Sequence, residues 1–102
     1  MNIKKNKEGN TLNVAISGRI DTVTAPEFSN SVNESLDGVT CLNMDFKEVN
    51  YVSSAGLRAL LSLQKKMNAC SGQMKLTNVC EAVHDVFEVT GFDEILTYEM
   101  VK

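Results

Sequence analysis

The spacing of apolar residues along this 102-residue chain switches several times between strict alternation and helical periodicity. Such switching predicts an α/β domain. Residues near 2–7 give a weak first strand, and Glu8-Gly9-Asn10 signals a turn. Over 11–17, Leu12, Val14 and Ile16 fall on one face while Asn13, Ala15 and Ser17 fall on the other. The short turn makes the two strands an antiparallel hairpin. Gly18 through Val23 reads as a loop. Thr24-Ala25-Pro26-Glu27 then has capping-box spacing with proline in the first turn. A first helix is expected with Ala25, Phe28, Val32 and Leu36 as its buried stripe, closed by Asp37-Gly38.

Cys41 to Phe46 reads as a central strand. A second helix from about Ser54 to Ala69 buries Leu57, Leu60, Leu61, Leu63 and Met67, and Ser71-Gly72 supplies a glycine cap. Gln73 to Thr77 is a short strand. A third helix places Ala82, Val83, Val86 and Phe87 on one side and stops at Gly91. Glu94 to Met100 is the last strand, apolar at Ile95 and Leu96. The order is ββαβαβαβ. Strands joined through helices should run parallel with right-handed crossovers, and the first strand should run against its hairpin partner. The expected fold is one domain, residues 1–102, with a small mixed β-sheet flanked by helices. Met44, Met67 and Met74 fall on core positions and read as packing.

Composition narrows the function. Hydrophobic residues make up 43% and charged residues 23%, so a core forms without staples. No apolar run approaches the ~20 residues of a membrane span, and the polar N-terminus lacks a secretory apolar segment. A soluble, cytoplasmic chain with no membrane partner is expected. Net charge is −3, and the Lys and Arg residues are scattered, so nucleic-acid binding has no electrostatic support. Cys41, Cys70 and Cys80 are odd in number and form no CxxC, which fits a reduced compartment. Cys80 and His84 would share a helix face, but no second pair completes a metal site, so a buried cysteine and a surface histidine are expected. No cofactor is called for, and nothing demands more than a monomer.

The richest segment is Tyr51-Val52-Ser53-Ser54-Ala55-Gly56-Leu57-Arg58, where a strand-like run passes into an apolar helical face. Two hydroxyls therefore sit at a helix N-terminus. Outward N–H groups and the helix dipole favour an added anion there. Serine is also a preferred N-cap, so capping alone accounts for either residue. Asp21 reads on its own as a loop aspartate capping a turn.

Three segments together resemble the STAS-domain anti-sigma factor antagonists over nearly the whole chain. They are Ser17-Gly18-Arg19-Ile20-Asp21-Thr22-Val23-Thr24-Ala25-Pro26-Glu27-Phe28; Asp45-Phe46 through Leu61; and Lys75-Leu76-Thr77-Asn78-Val79 followed by Val83 to Phe92. The resemblance implies a bacterial partner-switching regulator of transcription rather than an enzyme. In such systems an anti-sigma factor with a histidine-kinase-like ATP fold holds a sigma factor inactive. The unphosphorylated antagonist binds it and frees the sigma factor. Phosphorylation of the antagonist on serine by that partner ends the interaction, and a metal-dependent serine phosphatase resets it. ATP and metal belong to the partners. Matching the motif places the phosphoacceptor at Ser54, with Ser53, where many relatives carry aspartate, as the alternative. The implied partner-binding residues are Asp21, Thr22, Ser53, Ser54, Ala55, Gly56, Leu57 and Arg58. Arg58, one turn on, reads either as a counter-charge to a phosphate or as a solvated helix residue. The chain ends soon after the last strand, where longer relatives carry a further helix.

Two other classes compete. A serine hydrolase needs a base for Ser54, and His84 is the single histidine, with no nucleophile–base spacing to support it. A STAS interaction module unregulated by phosphorylation, acting as a scaffold or binding a nucleotide or lipid, shares the fold.

Overall fold

The cleanest alternation in the chain becomes its best-paired strand. The computed structural model describes all residues, Met1–Lys102. Strand β1 (Asn2–Glu8) pairs antiparallel with β2 (Thr11–Ser17), with Ile3 opposite Ile16 and Lys5 opposite Val14. Then follow α1 (Ala25–Asn33), β3 (Cys41–Glu48), α2 (Ser54–Ala69), β4 (Gln73–Val79), α3 (Glu81–Thr90), a 3₁₀ turn at Phe92–Glu94, and β5 (Thr97–Met100). The five strands lie side by side in sequence order, and β2 through β5 run parallel. The ββαβαβαβ order, the mixed sheet and the antiparallel first pair are as the pattern predicts.

Register explains the two faces. Leu12, Leu42 and Met74 align across the sheet, as do Val14, Met44 and Leu76, and all six are buried. Tyr98 pairs with Leu76 and meets the ring of Phe87 edge-on at 5.0 Å, so α3 lies over the same face. The rows between are polar: Asn13, Asn43 and Lys75 align, and the Asn43 amide donates to Asn13 Oδ1 at 3.1 Å. One face carries the helices and the other meets water. The buried apolar side chains form a single cluster that includes Phe28, Phe46 and Phe87, so the domain holds together without a cross-link, and its cysteines are free.

Several local expectations change. The capping box at Thr24 does not form, because Thr24 has helical rather than extended backbone angles (φ −90°, ψ −20°) and makes no side-chain cap bond. Helix α1 ends at Asn33, and a tight turn follows in which Ser35 N–H bonds the Val32 carbonyl and Leu36 N–H the Asn33 carbonyl, leaving Leu36 half-buried outside the helix. In α2, Leu61 is half-buried and Gln64 takes the inward place instead. Ser71, at φ +58°, is the left-handed residue after α2, not Gly72. Gly72 is needed for space: a Cβ there would lie 2.7 Å from the Thr40 carbonyl oxygen. Ala82 is exposed, while Val83 and Phe87 carry the buried side of α3. The last strand starts at Thr97, because the 3₁₀ turn takes Glu94 and leaves Ile95 exposed. Cys70 is exposed and Cys41 and Cys80 half-buried, so none is a core cysteine.

Candidate functional site

The site is built where the segment after β3 enters α2. Val52 forms a parallel bridge with Ile20 from the loop after β2. Ile20 N–H donates to the Tyr51 carbonyl at 2.9 Å, and Ser53 N–H donates to the Ile20 carbonyl at 2.8 Å. The two segments are thus laced together at the point where α2 begins.

The two serines separate cleanly. Ser53 is the N-cap, in extended conformation (φ −85°, ψ 177°), and its hydroxyl accepts from the Gly56 N–H at 3.3 Å. Ser54 is the first helical residue, is exposed, and takes no part in that cap. Capping therefore accounts for Ser53 and leaves the Ser54 hydroxyl available. Ala55 is half-buried. Gly56 and Leu57 are buried, so they set the position of the turn from beneath it. A Cβ on Gly56 would lie 2.8 Å from the Ile20 carbonyl oxygen and 2.8 Å from Val52 Cγ1. Gly56 thus serves close packing within the chain. Arg58 is exposed one turn beyond Ser54.

Asp21 is a turn-former. Its Oδ1 accepts from the N–H groups of Val23 and Thr24, both at 3.0 Å, and the Asp21 N–H donates to Thr24 Oγ1 at 2.9 Å. The Thr24 hydroxyl donates to the Arg19 carbonyl at 2.6 Å. The bond from the Thr24 N–H, helped by the Thr24 hydroxyl, the Val23 N–H and the nearby Arg19 charge, holds the Asp21 carboxyl below the usual carboxylate range, against the opposing effect of burial. Thr22 is exposed at the same turn. Three residues outside the sequence-derived set join this surface. Arg19 stacks over the Tyr51 ring at 4.2 Å and places Nε 3.7 Å from Asp21 Oδ2. Val23 is 83% exposed and Tyr51 is 41% exposed. The Asp-x-x-Thr spacing of 21–24 signals the turn that carries Val23, though not the exposure of its side chain.

His84 is engaged elsewhere. Its Nδ1 lies 2.7 Å from Tyr98 Oη and its Nε2 3.3 Å from Glu88, so neither ring nitrogen serves Ser54. Cys80 donates weakly to the Val49 carbonyl at 3.5 Å and makes no pair with His84. His84, Asp85 and Glu88 cluster on α3, but His84 and Glu88 already satisfy one another there. No helix is long and apolar enough to cross a membrane.

Residues 2–102 match the STAS domain family, and the chain belongs to it. It is similar to the anti-sigma-B factor antagonist of Bacillus subtilis, with 27% identity over 96 residues that span 94% of this chain and 88% of the relative. The fold matches that of the anti-sigma factor antagonist SpoIIAA in its unphosphorylated form, with TM-score 0.82 and 17% identity over 97% of this chain and 89% of that one. It also matches the Bacillus cell fate determinant SpoIIAA in its phosphorylated form, with TM-score 0.74 and 16% identity over 97% of this chain and 92% of that one. Membership in this group makes the chain a regulatory protein and not an enzyme.

Proposed function

We propose that this chain is an anti-sigma factor antagonist whose binding is switched by phosphorylation of Ser54. The unphosphorylated form binds a cytoplasmic anti-sigma factor that is also an ATP-dependent serine kinase, and binding frees the sigma factor. Phosphate on Ser54 ends the complex, and a metal-dependent serine phosphatase restores it. The observation that carries this is the division of labour between the serines: Ser53 caps α2 while Ser54 stands exposed beside it.

The physics of the switch is local. A phosphate adds roughly −1.5 to −2 charges and three strong acceptors. The first N–H groups of α2 and the Arg58 guanidinium receive it without disturbing the core, since Ser54 and Arg58 are both exposed. In a closed interface the same group must be stripped of water. A loss of about 3 kcal/mol weakens binding roughly a hundredfold, which suffices for a switch.

The test is intact-mass analysis after incubation with ATP and the histidine-kinase-like anti-sigma factor of the same genome, with the site mapped by peptide sequencing. A single phosphate on Ser54 is expected. Ser54→Ala should bind the partner and resist modification, and Ser54→Asp should stay folded and bind weakly. No phosphate, or one elsewhere, would refute the switch and leave an unregulated STAS interaction module.

A further inference from the structure

We infer that Val23, held out by the Asp21 turn and flanked by the Arg19–Tyr51 stack, is the side chain that anchors the anti-sigma factor, inserting into an apolar recess of that partner. The inference deepens the function proposed above and rests on it. It assigns the contact to residues outside the partner-binding set that the family resemblance implies and gives Asp21 a positioning role.

Four observations lead there. First, Val23 is 83% exposed, while the apolar residues on either side of it, Ile20 in the same loop and Ala25 at the start of α1, are buried. Second, the exposure is built: the Asp21 carboxylate binds the N–H of Val23 itself and of Thr24, and the Thr24 hydroxyl ties the loop back to Arg19. A preorganised apolar side chain loses little freedom on docking, which is where affinity is gained most cheaply. Third, this loop is continuous with the Ser54 turn through the Ile20–Val52 bridge and the Ser53-to-Ile20 hydrogen bond. A partner that covers Ser54 therefore meets this rim. Fourth, the rim has the chemistry of an interface anchor: an aromatic ring, a stacked arginine and a branched aliphatic group. The Asp21 carboxylate is already spent on the Val23 and Thr24 amides and on Arg19, which leaves it little capacity as a direct contact.

An apolar recess at this rim also explains why one phosphate is decisive. Ser54 would lie at the border of a dry contact, where a doubly charged group cannot keep its water.

The experiment measures binding of the purified kinase-like anti-sigma factor, by calorimetry, to wild type, Val23→Asp, Val23→Ile, Tyr51→Ala, Asp21→Asn and Asp21→Ala, with thermal melts and light scattering on each. Val23→Asp should melt as wild type does and bind roughly tenfold or more weakly. Val23→Ile should bind comparably. Asp21→Asn keeps an Oδ1 acceptor for the two amides, so it should lose much less than Asp21→Ala; a direct charge contact would make the two equally damaging. Wild-type binding with Val23→Asp at full affinity overturns the anchor and leaves the proposed function standing. Wild type that binds no such anti-sigma factor overturns both. Dissociation of a wild-type dimer by Val23→Asp overturns it in favour of a second copy of the chain as the occupant.

Discussion

Gly56→Ala is the sharpest test of how the Ser54 turn is held. In an exposed helix this change stabilises by up to about 1 kcal/mol, since alanine is the better helix former. Here the new Cβ would sit 2.8 Å from the Ile20 carbonyl oxygen, 2.8 Å from Val52 Cγ1 and 2.9 Å from Ile20 Cγ2. The carbonyl cannot swing aside, because it accepts the Ser53 N–H at 2.8 Å and belongs to the Ile20–Val52 bridge. Relief requires the loop and α2 to separate. Overpacking of this kind costs about 1–3 kcal/mol. With backbone in the clash the upper figure applies, and subtracting the helix gain leaves a net loss of about 2 kcal/mol. For a domain of this size that is a fall of about 8–16 °C in melting temperature. The assay is a thermal melt by circular dichroism, with Ser62→Ala on the exposed side of α2 as control, expected within about 0.5 kcal/mol of wild type. A Gly56→Ala protein that melts at or above the wild-type temperature would refute the reasoning, because the loop would then not press on the helix.

Three further outcomes are expected. Ser53→Ala should lose about 1 kcal/mol of stability through its cap and still offer Ser54 for phosphorylation, whereas Ser54→Ala should melt like wild type; denaturant titration of both separates the roles. Gly72→Ala places a Cβ 2.7 Å from the Thr40 carbonyl oxygen and 2.9 Å from Met67 Cε, and should destabilise by about 1–3 kcal/mol in the same titration. Asp21 has its folded pKa lowered, so its stabilisation is present above the unfolded value of about 3.9 and is lost as pH falls through the lower folded value. Melts from pH 6 to 2 should show this acid-side loss in wild type and a smaller one in Asp21→Asn.

The sheet was legible because one face is dry and the other wet, so burial imprints itself on the sequence as alternation, clearest at Leu12, Val14 and Ile16. Helix α2 was legible because Ser53 and the run from Leu57 to Met67 agree on the same start and phase. Thr24 misled because a capping-box pattern does not specify backbone angles. Asp21, three residues upstream, bends the chain so that Thr24 is already helical and its own hydroxyl turns back to Arg19. Gly72 and Ser71 exchanged roles because a neighbouring carbonyl, invisible in sequence, demanded space at 72 and left 71 to make the turn. At the site, the motif supplied Ser54 and its neighbours. It could not show which serine caps, since that depends on one hydrogen bond. Nor could it show Val23, since a lone valine in a polar loop reads as neutral until its exposure is seen.

The strict sequence order of the strands bears on how the protein is made. Each strand hydrogen-bonds to the one synthesised just before it, and the aligned partners Asn13 and Asn43 are only 30 residues apart. The sheet can grow at one open border as the chain leaves the ribosome, with no early strand left waiting for a late one. The Asp21 loop and the Ser54 turn both belong to residues 1–69, so the recognition end is laid down by the hairpin, the first crossover and the helix that opens the second. The last third of the chain seals the far border of β3 and makes that end permanent.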